Sequence, residues 1–154
     1  MSTADSTLLQ QAVAGLRLHD IVLYESHFVH GEPFPEAEEL AAVQQHKRGV
    51  SYRVTAFGSE EAAGKRLQVV VSLGERLVDD DSKDEPTIYF GVEAEYMVIY
   101  ELVTDVSEEA LHVFSNLNAV HNVWPFWRQH VFDLIGKARL PPLQIPLFSG
   151  GADG

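Results

Sequence analysis

The sequence predicts an α+β domain, a four-stranded antiparallel sheet with two C-terminal helices packed on one of its faces. Three observations carry this. Residues 87–102 alternate with period two, residues 51–57 and 66–73 are rich in β-branched side chains, and the last third of the chain switches to helical spacing.

The first strand is expected over residues 16–29. Leu16, Leu18, Val22 and Phe28 fall on one side, and Ile21, Leu23 and Val29 on the other. Both faces are thus partly apolar, as in a strand lying between two layers. Pro33 and Pro35 then exclude a central strand, and an acidic, alanine-rich connection with room for one helical turn runs to Gln45. Residues 51–57 and 66–73 form two strands joined by a hairpin loop over 58–64. Residues 79–86 are a charged, solvated loop. The fourth strand has the cleanest pattern, with Ile88, Phe90, Val92, Ala94, Tyr96, Val98, Tyr100 and Leu102 facing the core.

Helical spacing begins at Ser107, a capping residue followed by Glu108 and Glu109, where acids suit the positive end of the helix dipole. Ala110, Leu111, Phe114 and Leu117 give its apolar stripe. Pro125 is placed at the first turn of a second helix, where its missing N–H costs nothing. Trp127, Val131, Leu134, Ile135 and Ala138 form the stripe of that helix, and Pro141-Pro142 prevents it from continuing. The organisation expected is a flexible segment over 1–15, one domain over 16–148 and a disordered tail over 149–154.

At 154 residues the chain suffices for one core without staples, and it has no cysteine for a disulfide or a thiolate site. Its net charge of −12 disfavours nucleic acid and anionic membranes as partners. No signal-peptide pattern or membrane-length apolar run is present, so a cytoplasmic protein is expected.

Catalytic chemistry finds little footing. His27 and His30 should point to opposite faces of a strand, and His112, His121 and His130 are nine residues apart. None of the usual zinc or calcium spacings occurs, and the acids at 79–81, 84 and 85 lack the glycine turn of an ion loop. Neither a nucleophile elbow nor a phosphate-binding loop is present. The expectation is a protein without enzymatic activity, metal or cofactor. The aromatics carry more weight. Trp124, Phe126 and Trp127 cannot share one helix face, because successive helical residues point about 100° apart. Trp124 is expected to staple the helix into the core, leaving a ring of Phe126 or Trp127 open to a groove or a partner.

The run Asn122-Val-Trp-Pro-Phe-Trp-Arg128, with Leu140-Pro-Pro-Leu143 behind it, resembles the SecB family of bacterial export chaperones and its toxin–antitoxin-associated relatives. That family carries Asn-x-x-Phe-Pro-Tyr-x-Arg at a helix start, matched here by Asn122, Trp124, Pro125, Phe126 and Arg128. Its later Phe-Pro-Pro-Leu is matched by Leu140, Pro141, Pro142 and Leu143. The resemblance implies a dimer of dimers that works without nucleotide. Such a protein binds unfolded or nascent polypeptides in apolar grooves, for export or to protect a dedicated client such as an antitoxin.

On that basis Phe34, Leu40, Val43, Phe126 and Trp127 are the expected client contacts. Asn122, Trp124, Pro125, Arg128, Pro141 and Pro142 are structural, with Arg128 fixing the helix through carboxylate or carbonyl contacts. Docking of the export motor ATPase would fall to Asp20 and Glu25. Only Asp20 matches the family's place, Glu25 being one residue off and on the opposite strand face. The last six residues also lack the family's motor-binding tail. The alternative is a non-catalytic structural or assembly subunit that uses the same aromatic surface for oligomerisation.

Overall fold

In the computed structural model, which describes residues 2–31, 42–58, 64–141 and 145, helix α1 (Thr3–Gly15) precedes strands β1 (Leu16–His30), β2 (Val43–Phe57), β3 (Gly64–Val78) and β4 (Ile88–Leu102), and helix α2 (Glu108–Ala138) follows them. The strands form one antiparallel sheet in the order β1-β4-β3-β2. Fold class, sheet and helix number agree with the sequence reading, but the helices are placed differently.

The stretch expected to be flexible is largely α1. Ser2 caps it and Asp5 closes a capping box, the Ser2 hydroxyl accepting from the Asp5 N–H at 3.1 Å. Its apolar periodicity is weak because only Ala12 and Gly15 are fully buried. Its last residue fits tightly, since a Cβ on Gly15 would lie 2.5 Å from Val106 Cγ2.

The two C-terminal helices expected on either side of Pro125 are one helix of 31 residues. Proline in a helix interior removes one backbone bond and costs about 3 kcal/mol. Here the buried positions Ala119, Val120, Val123, Trp124, Trp127, Val131 and Ile135 keep one phase across the proline. Pro125 itself is exposed. Burial of that continuous stripe on the sheet, at about 1.5–3 kcal/mol per large side chain, outweighs the lost bond.

Alternation in β3 and β4 sets the core. Leu67, Val69, Val71 and Leu73 lie opposite Tyr100, Val98, Tyr96 and Ala94, and all eight are buried beneath α2. Among the described residues, no helix lies on the other face of the sheet. In β1 the simple alternation fails, because β-bulges fall between Leu18 and Asp20 and between Leu23 and Glu25. Each bulge shifts the phase by one residue. Leu16, Leu18, Ile21, Leu23, Ser26 and Phe28 therefore share the helix-side face, pairing with core positions of β4, while Val22 and Val29 face away.

Candidate functional site

The outer side of α2 is where the chain leaves rings in solvent. With Trp124, Trp127 and Val131 turned inward, Phe126 and Phe132 fall outside the buried stripe and are 53% and 70% exposed. Trp127, expected among the outward rings, is a core residue at 1% exposure. It sits three residues after Trp124 and four before Val131, on the spacing that keeps a side chain on one face. Phe132 was not singled out in the sequence, although a phenylalanine adjoining a stripe residue at 131 is the signal that marks it.

Helix α2 meets edge strand β1 through His130 Nε2 and Ser26 Oγ, 2.7 Å apart. Burial holds the His130 imidazole below its usual pKa, partly opposed by Asp133. On the same face of β1 as Ser26 stand Leu18 and Leu23, and the bulge turns out Tyr24, which is 65% exposed. Apolar side chains are thus exposed on both elements joined by this link. As the end strand of the sheet, β1 also presents one row of backbone N–H and C=O groups with no strand beside them among the described residues. An edge of this kind, 15 residues long and studded with apolar side chains, is suited to adding another chain as a strand.

Three of the motif residues have contacts or burial within the fold, Asn122, Arg128 and Trp124. Asn122 Nδ2 donates to the Tyr100 hydroxyl at 2.7 Å, tying α2 to β4. Arg128 Nε donates to the Ile145 carbonyl at 3.1 Å and so fastens the segment after the helix to it. Trp124 is buried. The helix stops because Arg139 turns left-handed (φ 56°, ψ 40°), and Leu140 N–H bonds back to the Ile135 carbonyl at 3.1 Å. Pro141 follows this stop, exposed. Val43 opens β2 opposite Val78 and is half-buried. Phe34, Leu40 and Pro142 lie outside the described residues.

Glu25 corrects the strand-face argument. The second bulge brings it back into phase with Asp20, so both acids are on the helix-free face, opposite Glu95 and Ile99. In the charged loop at the β3–β4 turn, Asp79 accepts from Lys83 Nζ at 2.8 Å and from the Thr87 N–H at 2.9 Å. Among the described residues no cluster of histidines and acids is placed to hold a metal, and no helix is long and apolar enough to cross a membrane.

An α+β sheet of four antiparallel strands, with a long helix across one face and a short one beside it, defines a SecB-like fold. The chain is similar to a solved SecB-like chaperone of Mycobacterium tuberculosis, Rv1957, in complex with a ChAD peptide from the HigA1 antitoxin, at 18% identity and a TM-score of 0.69. The likeness covers 93% of this chain and 97% of that one. No family model matches the sequence, and no curated protein does.

Proposed function

We propose that this protein is a molecular chaperone that holds unfolded or nascent polypeptide, with a dedicated client such as an antitoxin as its main charge. The observation that carries this is that both elements joined by the His130–Ser26 link expose apolar side chains, Phe126 and Phe132 on α2 and Leu18, Leu23 and Tyr24 on the end strand β1. An unfolded chain offers what such a surface can pair with, apolar side chains and free backbone amides. Similarity of fold to a chaperone solved with an antitoxin peptide supports the same reading. Binding needs neither ATP nor a cofactor, and the working form is a cytoplasmic homo-oligomer, a dimer of dimers. Phe34, Leu40 and Val43 extend the client contacts, and Trp127 supports them from the core. Asp20 and Glu25 share a face that could meet an export motor, a secondary role here.

A second reading has its own observation. The exposed side chains of β1 form the kind of edge that two copies can pair, which favours an assembly subunit using the surface on itself.

One assay separates the two readings. A chemically unfolded, aggregation-prone client is diluted into the protein, and light scattering is followed at varied ratios. Protection at equimolar protein or below, weakened several-fold by Phe126→Ser with Phe132→Ser at unchanged oligomer mass, supports the chaperone. No protection at any ratio, together with loss of the oligomer in the same double variant, supports the assembly subunit.

A further inference from the structure

Ser26 and His130 are 104 residues apart in the chain, yet the fold sets the hydroxyl 2.7 Å from the imidazole Nε2. That is within the reach of about 2.6–3.2 Å at which a base takes the proton of a nucleophile. In the Nδ1–H tautomer the Ser26 hydroxyl donates to Nε2. Burial favours the neutral ring that a base requires, and Asp133, three residues on, favours the imidazolium formed when it accepts. Gln129 Nε2 donates to the Asp133 carboxylate at 2.7 Å. Ser26 is exposed, so its hydroxyl is open to a reactant.

The strand adds a donor. Opposed residues of an antiparallel pair alternate between those that exchange backbone bonds and those whose N–H and C=O point away from the partner. Gly31 N–H donates to the Tyr89 carbonyl at 2.9 Å, and the register runs unbroken from there back to Glu25. Val29 and His27 therefore bond inward to β4, while His30, Phe28 and Ser26 turn their N–H groups to the outer edge. Among the described residues no strand occupies that edge. In serine hydrolases the nucleophile's own N–H helps to hold the oxyanion, and here that N–H lies at the open edge.

The bulge between Leu23 and Glu25 makes the pairing possible. Without its change of phase Ser26 would face away from α2, out of reach of His130, and bulges recur where a side chain must be re-aimed. Apolar groups flank the pair. Phe126 lies one turn before His130, and Leu23 precedes Ser26 on the helix-side face of β1, 53% and 45% exposed. An ester with an apolar acyl group suits this set better than an amide, whose poorer leaving group asks more than one oxyanion donor supplies.

We propose that Ser26 and His130 form a nucleophilic dyad that takes an apolar acyl group from an ester. Oγ attacks the carbonyl carbon as its proton passes to Nε2, and the carbonyl oxygen becomes an oxyanion beside the Ser26 N–H. The C–O bond to the alcohol then breaks, Nε2 returns the proton to the departing oxygen, and an acyl-serine remains. Water attacks the acyl carbon, giving its proton to Nε2, which passes it to Oγ as the acid leaves. This chemistry is separate from polypeptide holding, and the inference does not rest on the chaperone reading.

The test mixes the full chain with p-nitrophenyl butyrate, follows nitrophenolate release by absorbance and maps the butyryl group by peptide mass. A burst of up to one equivalent per chain is expected, with Ser26 acylated roughly tenfold or more faster than any other serine or lysine. Ser26→Ala should abolish the burst. His130→Gln should slow it by about a hundredfold, the lower end of what a general base contributes. Circular dichroism checks that both variants fold. Absence of the adduct from Ser26 in the unsubstituted protein overturns the proposal whatever the variants do. So does acylation at an equal rate in His130→Gln, which would leave the contact as a tie between strand and helix.

Discussion

Asn122 and Tyr100 are joined by a 2.7 Å hydrogen bond between α2 and the centre of the sheet. Burial pushes the Tyr100 phenol up to about 12, and the bond from Asn122 opposes that rise. The ring is also packed edge-on against Phe114, with centroids 4.8 Å apart. Replacing Asn122 by Ala leaves a buried hydroxyl without its donor, which costs about 1–3 kcal/mol. Tyr100→Phe removes the hydroxyl instead, and Asn122→Ala made in that background should then cost less. A double-mutant cycle by urea unfolding checks this, and additive single effects would contradict the coupling.

Glu75 should weaken the fold at neutral pH. It is 6% exposed and on the helix-side face, with Gln44 Nε2 donating to its carboxylate at 2.9 Å and His46 directly opposite. Burial raises its pKa, an effect partly opposed by Gln44 and then His46. A folded-state pKa above the unfolded one favours the protonated acid, so this contribution is complete below the unfolded value and fades as pH rises through the folded one. Glu75→Gln is expected to raise stability at pH 7 by about 1 kcal/mol, a Tm gain of a few degrees, and to gain little at pH 4. Equal gains at both pH values would exclude a charge effect.

The His130–Ser26 link has the opposite pH dependence. Burial lowers the His130 pKa, Asp133 opposes this and Lys137 adds to it. The neutral ring is therefore the folded-state form. Its contribution is present above the unfolded value near 6.5 and is lost as pH falls through that value towards the folded one. Denaturant unfolding between pH 7.5 and 5.5 should show a steeper loss for the wild type than for His130→Gln, which keeps a polar group but does not titrate.

Arg139 holds the left-handed turn at the end of α2 with φ 56°. A side chain at such a position costs about 1–2 kcal/mol relative to glycine. Arg139→Gly should raise Tm by a few degrees without altering client protection. An unchanged or lower Tm would mean that the arginine side chain contributes more than its backbone loses.

Most of the sheet was legible because β4 alternates cleanly, with its buried side in the structure the one the pattern names, and because β3 is rich in β-branched side chains. Strand β1 was legible in extent but not in its faces, since two bulges each reverse the phase, and neither leaves a glycine or proline to mark it. The break in α2 was read from Pro125, whose local rule is sound. It was overridden by a buried stripe that only the sheet makes worth keeping. Helix α1 escaped notice because its capping box stands at the extreme start of the chain, before a segment with little amphipathic contrast. At the candidate site Phe126 could be read as outward from the crowding of three large rings. Trp127 could not be sorted from it without knowing which face met the sheet.

At about 1.5 Å per residue, the 31 residues of α2 make a beam some 46 Å long. It carries α1 near its first turns, where Ser107 bonds to Gln11, and the outward phenylalanines in its second half. The same rigid span keeps the phenylalanines and the terminal helix about 30 Å apart along its axis, so amide exchange in residues 3–15 should stay unchanged when a polypeptide is held at the phenylalanine end.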